Sequence, residues 1–283
     1  QTIGGSSIAD FRNITLNNSA GASLSQAQNL LGTLTLTAGT FNTNSQVFTL
    51  ISTISGTARI ATIPAGADII GNITMQRYIG AGATNWRFLT TATNGTTIAD
   101  WKDDFIMSGF IGSQYPDWPS ATNRWPSIYF YDETKPGIQD SGYVAATNIT
   151  NTISPGQGVW VWSGDTITGT QAFTVDVTGP SNKGNINLPV TFTSSAGAAN
   201  DGWNMVGNPY PSTIDWNSAN WTKTRINNAI YIWNPQNQQF SSYVSGIGTN
   251  GGSRYIASSQ AFWVQSNAAS PVLIVRQTCK SAV

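Results

Sequence analysis

The 283-residue sequence contains no histidine. Imidazole is the proton carrier of Ser-His-Asp and Cys-His nucleophilic sites and a common zinc ligand, so its absence argues against those reactions and against ordinary zinc sites. Glutamate is nearly as scarce, because Glu133 is the only one. An enzyme built from this chain would depend on paired carboxylates, as glycosidases do.

Charge, cysteine and long apolar runs are also sparse. Charged residues make up 9% of the chain, and 13 Lys and Arg balance 13 Asp and Glu, which gives no electrostatic footprint for nucleic acid or an anionic membrane. No stretch approaches the ~18 apolar residues of a membrane helix, so we predict no membrane insertion. Cys279 is alone, which excludes an intrachain disulfide and favours a small buried hydrophobe.

The N-terminus lacks the basic-then-apolar pattern of a secretion signal. Strand-like sequence follows soon after Gln1. Either a signal has already been removed or the sequence is part of a longer polypeptide, and we expect the second.

Gly, Ser, Thr, Asn and aromatic residues dominate instead. The chain has 11 Trp, 11 Phe and 9 Tyr in a background rich in Thr and Val, which are residues that suit the half-buried surface of a sheet. The composition predicts an all-β protein.

Residues 1–70 contain short Thr-, Ile- and Leu-rich segments at 13–16, 32–37 and 46–50, separated by Asn, Gly and Ser turns. Segments this short and closely spaced predict the rungs of a parallel β-helix-like stem. An ordinary antiparallel sheet is the alternative.

The rest of the chain contains an internal duplication. Residues 153–163, with Gln157 and Trp160, recur at 256–266, with Gln260 and Trp263. Further matches follow in the same order, among them 71–75 with 184–188, 85–89 with 202–206, 128–131 with 230–233 and 142–144 with 242–244. We predict two duplicated antiparallel β-sandwich or jelly-roll-like domains, at 71–183 and 184–283. The recurring Trp86, Trp160 and Trp203 are interpreted as core residues.

The first copy carries an insertion at 102–127 that the second copy lacks. It is rich in aromatic residues beside proline, and a core does not need such a loop in order to fold. Flat rings flanked by hydrogen-bonding side chains are typical of sugar sites. The predicted glycan platform comprises Tyr115, Trp118 and Trp125 with Asp117 and Arg124, and Gln114 and Asn123 could add hydrogen bonds. Alternatively, the loop folds its aromatics over a sheet edge as a plug.

Three carboxylate pairs could in principle serve an enzyme: Asp132 with Glu133, Asp103 with Asp104, and Asp100 with Asp215. We interpret them as turn carboxylates or helix caps, since adjacent strand residues point to opposite faces. No phosphate-binding loop or EF-hand spacing occurs. No cofactor is predicted, and a structural calcium ion remains an open alternative.

Several of these motifs carry a family resemblance. Residues 71–79, 85–89, 153–162 and above all Trp203-Asn204-Met205-Val206-Gly207-Asn208-Pro209-Tyr210-Pro211 resemble the large surface proteins of Bacteroidota. In those proteins, adhesin-like β-helical repeats run into such a β-rich region, and a type IX secretion sorting domain usually follows. The resemblance covers most of the chain from about Gly32 and implies export across the outer membrane, with the export machinery as a partner. It carries over no functional residue.

We therefore expect a non-catalytic adhesin or surface-display region, located outside the cell or attached to the outer membrane. A carbohydrate-binding module that uses the insertion aromatics is the first alternative, with a polysaccharide or surface glycan as partner. A carboxylate-based polysaccharide hydrolase is the second.

Overall fold

The computed structural model describes residues 1–164, 171–194 and 200–283. Within these ranges the protein has 25 strands and three short 3₁₀ helices, at Ile98–Trp101, Gln139–Gly142 and Gln277–Cys279. The predicted all-β class is confirmed. No helix of the described part is long and apolar enough to cross a membrane.

Ten strands form the N-terminal part. They are β1 (Thr2–Ile3), β2 (Asp10–Asn17), β3 (Ala22–Leu24), β4 (Gln28–Asn42), β5 (Phe48–Leu50), β6 (Ser52–Thr53), β7 (Gly56–Thr57), β8 (Arg59–Ile60), β9 (Ala67–Ile70) and β10 (Asn72–Ile79).

These strands pair mainly in parallel. β4 pairs with β2, β3, β5, β8 and β9, and β5 pairs in turn with β10. The register stacks Leu30 on Leu50 and Leu50 on Met75, so apolar side chains form columns inside the N-terminal part. Residues 1–70 are all described, and their only antiparallel pair is the β6–β7 hairpin.

Gly39 lies in the 15-residue β4 where pairing with β2 ends and pairing with β9 begins. Its φ is +80°, and a Cβ there would lie 1.9 Å from the carbonyl oxygen of Asn18. A side chain would therefore be excluded both by backbone conformation and by the close approach of the neighbouring turn.

Five strands follow: β11 (Trp86–Leu89), β12 (Ile128–Tyr131), β13 (Tyr143–Ala145), β14 (Val159–Trp162) and β15 (Phe173–Pro180). The first four form an antiparallel sheet in the order β11-β14-β12-β13, here called the first sheet. β15 pairs antiparallel with β10 and thereby extends the N-terminal sheet. Apolar residues of the first sheet pack against β10 and β15, with Val159, Val161 and Val177 in their shared core.

The last ten strands are β16 (Ile186–Asn187), β17 (Trp203–Gly207), β18 (Ile214–Asp215), β19 (Thr222–Thr224), β20 (Ala229–Asn234), β21 (Gln239–Val244), β22 (Ile247–Thr249), β23 (Tyr255–Ile256), β24 (Ala261–Gln265) and β25 (Val272–Val275). The second sheet is antiparallel in the order β17-β24-β20-β21-β22. It packs on the β16-β25-β19 sheet through a core that includes Phe262 and Leu273.

The two sheets share strand order and pairing register. In the first sheet Trp160 pairs with Phe88 and Tyr129, and in the second Trp263 pairs with Met205 and Tyr231. Trp86 and Trp203 open the equivalent strands, and both are half-buried. The matching sequence motifs thus occupy matching positions in the strand pairing.

The two sheets also contact each other reciprocally. Leu89 of the first sheet bridges to Gln260, and Val206 of the second bridges to Gln157. Aromatic side chains on the facing surfaces then interlock, with Tyr131 and Trp263 rings edge to face at 4.4 Å between centroids. The two similar sequence motifs, which contain Gln157 and Gln260, therefore also join the two sheets.

Candidate functional site

The insertion is held in a defined shape by its own backbone and by Ser108. The Ser108 hydroxyl donates to the carbonyl of Trp125 at 2.8 Å, and the Trp125 amide donates to the carbonyl of Trp118 at 2.7 Å. Gly109 adopts φ +82° where a Cβ would lie 2.4 Å from the Pro126 nitrogen. The peptide bond between Trp118 and Pro119 is cis. The hydrogen bonds fix the backbone that carries the two tryptophans of the loop.

The aromatic residues predicted for the glycan platform converge on one cleft, here called the insertion cleft. Tyr115 is 44% exposed, Trp118 39% and Trp125 47%. The cleft is lined by Ile106, Ser108, Tyr115, Trp118, Trp125, Ser127 and Trp162. Its volume open to a water-sized sphere is about 30 Å³, room for roughly one water molecule, so a larger ligand would lie across its rim.

The polar residues of the predicted platform fall into two groups. Asp117 and Arg124 pair with each other, at 3.1 Å from Nε and 2.7 Å from an Nη of Arg124 to the same carboxylate oxygen, and both side chains are exposed. Gln114 instead holds the loop, because its amide donates to the Lys102 carbonyl and accepts from the Met107 amide. Gln114 is therefore occupied within the loop, whereas the ion pair remains at the surface.

The insertion divides into a buried half and an exposed half. Phe105, Met107 and Phe110 are buried in the core under the first sheet. Tyr115, Trp118 and Trp125 remain at the surface. The first half of the loop is therefore part of the core, and the second half leaves its aromatic rings at the surface.

Trp162 is a cleft residue that the sequence reasoning missed. It lies on β14, its ring centroid is 6.4 Å from that of Trp125, and it pairs across the sheet with Trp86. The signal was available in the sequence, because Trp160 and Trp162 alternate on one strand and must share a face. The insertion cleft therefore continues onto the aromatic face of the first sheet.

That face is more open than the sequence suggested. Trp86, Trp160 and Trp203 were interpreted as core, yet all three are half-buried and line clefts. The first sheet cleft is lined by Trp86, Tyr129, Asp140, Tyr143 and Trp160, with a volume of about 380 Å³. The second sheet cleft is lined by Gln139, Trp203, Tyr231, Phe240, Ser242 and Trp263, with about 350 Å³. The contact between the two sheets therefore leaves these tryptophan rings partly exposed.

Strand pairing also corrects one detail of the repeat. The sequence matches Tyr143 with Tyr243, but Tyr143 pairs with Tyr131, and the residue in that place of the second sheet is Phe240, which pairs with Trp233. Because the intervening loops differ in length, sequence identity alone misplaced the match by three positions.

The sole glutamate accepts four hydrogen bonds from described residues. Glu133 accepts from the backbone amides of Thr193 and Gly202 at 2.6 and 3.1 Å and from the hydroxyls of Thr191 and Thr193 at 2.8 and 3.1 Å. Its neighbour Asp132 accepts from the amide and hydroxyl of Thr134. Glu133 thus ties β12 to the segment before β17, and the two carboxylates do not act as a pair.

The other candidate carboxylates are mostly structural. Asp100 caps the helix Ile98–Trp101 by accepting from the Thr97 amide at 2.8 Å, as predicted. Asp215 accepts from the Asn217 amide in a turn and faces Arg254 at 3.5 Å. Asp100 and Asp215 therefore each stabilise the local backbone by accepting a hydrogen bond from a nearby amide.

Asp104 differs, because burial raises its pKa to about 7. The hydrogen bond that its carboxylate accepts from the Asp176 amide lowers the pKa, but by less than burial raises it. The charges of Asp176 and Asp103 raise it further. A carboxyl with such a pKa could donate a proton near neutrality. Asp104 lines neither the insertion cleft nor the two sheet clefts, so the structure brings no aromatic platform to it.

The cysteine and the ion-binding possibilities are also placed. Cys279 is buried, and burial raises the pKa of its thiol, as expected of a small core residue. Among the described residues, no group of three or more acidic, Cys or His side chains is arranged to hold a metal ion.

Fold and site together define an all-β protein with exposed aromatic clefts beside two joined antiparallel sheets. The chain belongs to a family described as a domain of unknown function (DUF8693), whose model matches residues 113–271. The matched range starts within the insertion and includes its exposed aromatics and the second sheet. No curated protein and no solved structure matches the chain.

Proposed function

We propose that the chain is a non-catalytic adhesive region that binds glycans through the insertion cleft. The observation that carries this proposal is the convergence of Tyr115, Trp118 and Trp125, each more than a third exposed, on one surface. Large rings are normally buried, and a group of them at the surface of a soluble domain marks an interaction site.

Carbohydrate fits the chemistry of this surface. A sugar ring presents an apolar C–H face to an aromatic ring, whose negative π-face attracts it, and its hydroxyls need donors and acceptors at the edge. Asp117 and Arg124 supply an acceptor and donors next to the rings. As an exposed pair, they contribute little to stability and stay accessible to a ligand.

The contacts of the carboxylates support a non-catalytic role. Hydrolysis of a glycoside requires two carboxyl groups facing each other across the bond to be broken. Glu133 is engaged by four hydrogen bonds, and Asp100 caps a helix. The polysaccharide hydrolase remains the less favoured candidate.

The proposal includes the architecture and the setting of the chain. The parallel ladders of residues 1–70 support a β-helix-like stem, and the shared register of the two sheets supports duplicated sandwich domains at 71–183 and 184–283, of which 165–170 and 195–199 lie outside the described residues. The resemblance to Bacteroidota surface proteins supports type IX export and an extracellular or outer-membrane-attached location. Such a stem would hold the aromatic clefts away from its attachment point.

Binding to a panel of neutral polysaccharides, measured by affinity electrophoresis and pull-down, tests the proposal. We expect the wild type to bind at least one member and the double variant Trp118→Ala/Trp125→Ala to bind about tenfold more weakly or worse, since two platforms are lost. A matched control, Val47→Ala/Ile54→Ala, removes exposed apolar side chains, 57% and 82% exposed, far along the chain. Equal binding by both variants and the wild type would refute the insertion cleft as the site.

A further inference from the structure

The two sheet clefts lie on either side of one short turn. The helix Gln139–Gly142 supplies Asp140 to the first sheet cleft and Gln139 to the second. Adjacent Cα atoms are about 3.8 Å apart, so the two polar side chains are near neighbours. Tyr143 of the first cleft and Trp263 of the second are also in ring contact, at 6.2 Å between centroids. The clefts therefore share a wall and a turn.

This turn is fixed by Tyr131. The Tyr131 hydroxyl donates to the Gln139 carbonyl at 2.8 Å. Gly142 lies so close to the Tyr131 ring that a Cβ would be 2.4 Å from it. The Asp132 amide donates to the Gly142 carbonyl at 2.8 Å. Gln139 and Asp140 are consequently positioned before any ligand arrives.

The clefts offer hydrogen-bonding groups that the protein leaves unused. In the described part of the chain, no group bonds to the hydroxyls of Tyr129 and Tyr143 in the first cleft or of Tyr231 in the second, whereas the hydroxyls of Tyr131 and Tyr210 are bonded. Burial raises the pKa of Tyr129 and Tyr143, so both stay protonated and can donate. A ligand would find aromatic faces edged by free hydroxyls.

Charge narrows the class of ligand. Among the residues that the structure describes, Asp140 is the only charged one lining either sheet cleft, and no basic residue of that part does so. An anionic polymer would meet repulsion without compensation. A proline-rich peptide would suit the rings but lacks the N–H groups that a carboxylate accepts. A neutral sugar chain supplies both apolar faces and hydroxyl donors.

We propose that the two sheet clefts form one bipartite site for a neutral polysaccharide, and that the polysaccharide lies over the Gln139–Gly142 turn. Rings of both clefts hold successive sugar units, while Asp140 and Gln139 bond to hydroxyls between them. The inference rests on the proposed glycan-binding function and extends it, because it adds a second site and assigns it to internal segments of a chain. Occupying both halves at once makes affinity rise with ligand length.

Calorimetric titration of neutral oligosaccharides, from disaccharides to hexasaccharides of the polysaccharide bound in the pull-down, tests this. The experiment uses the full chain carrying Trp118→Ala/Trp125→Ala, so that only the sheet clefts can bind. We expect binding that strengthens with length and falls about tenfold when Asp140→Ala and Gln139→Ala are added. Since Asp140 is exposed and Gln139 half-buried, these variants should keep the melting temperature. Trp86→Ala/Trp203→Ala removes one ring from each cleft as a second variant.

The outcomes separate the two proposals. If the wild type binds and the insertion variant binds nothing, the insertion cleft stands and the bipartite site is overturned. If the Trp118→Ala/Trp125→Ala variant keeps the affinity of the wild type, and adding Asp140→Ala and Gln139→Ala removes that affinity, the bipartite site is supported and the insertion cleft is overturned. Binding that is independent of length, binding of a proline-rich peptide in place of the sugars, or no glycan binding by the wild type would each overturn the bipartite site.

Discussion

Replacing Glu133 should loosen the joint between the first sheet and the segment that leads into the second. Its carboxylate receives two backbone amides, from Thr193 and Gly202, and two hydroxyls, from Thr191 and Thr193. Glu133→Ala leaves those amides to find water, while Glu133→Gln keeps one oxygen as an acceptor. The two variants should therefore rank in a fixed order.

The magnitude follows from the number of bonds. A hydrogen bond to a charged group is worth about 1.5–3 kcal/mol when buried, and Glu133 is half-buried, so water replaces part of what is lost. We expect Glu133→Ala to lower the free energy of unfolding by about 2–3 kcal/mol. Glu133→Gln should cost about half of that, because it loses the charge and at least one amide partner.

Urea denaturation followed by tryptophan fluorescence measures these differences. Asp132→Ala is the matched control, since it removes a neighbouring carboxylate whose bonds stay within its own turn, and it should cost about 1 kcal/mol or less. A Glu133→Ala variant no less stable than the Asp132→Ala variant would show that the four bonds do not hold the two parts together, and the reasoning would be wrong.

Two further predictions concern the fold. Gly39→Ala should lower the free energy of unfolding by about 3 kcal/mol or more, because its Cβ would meet the Asn18 carbonyl. Gly66→Ala is the control, since Gly66 has φ +85° but open space around it, and it should cost only about 1 kcal/mol. Thermal melting compares the two variants, and equal losses of stability would contradict the close approach at Gly39. Asp104 has a folded-state pKa of about 7, above its usual value near 3.8, so the stability it contributes is full below about pH 4 and is lost as the pH rises through 7. After allowance for partial solvent screening, the free energy of unfolding of the wild type should fall by about 1–2 kcal/mol from about pH 4 to 7, relative to that of Asp104→Asn. An equal change of the free energy of unfolding with pH in both proteins would refute this.

The sequence predicted the all-β class of this protein. The Thr-rich and aromatic-rich segments form strands. The two Trp-bearing motifs occupy the same position in the strand pairing, because Trp160 pairs with Tyr129 and Trp263 pairs with Tyr231. Asp100 caps its helix because a carboxylate three residues after Thr97 can reach that amide.

What the sequence did not predict depends on contacts between distant segments. The hydrogen bonds of Glu133 with Thr191, Thr193 and Gly202 require the two sheets to be docked, and no local pattern encodes that docking. The same is true of the sheet clefts: Trp86 and Trp203 recur like core residues, but both stay half-buried and line clefts. Loop lengths further hid the correspondence of Tyr143 with Phe240.

The most direct test of glycan binding through the insertion cleft is the response of individual indole N–H resonances to a bound neutral oligosaccharide. The account predicts that the signals of Trp118 and Trp125 shift on titration, while that of Trp221, which is buried in the core under the second sheet, stays in place. Saturation of the protein with the signals of Trp118 and Trp125 unmoved would contradict the account.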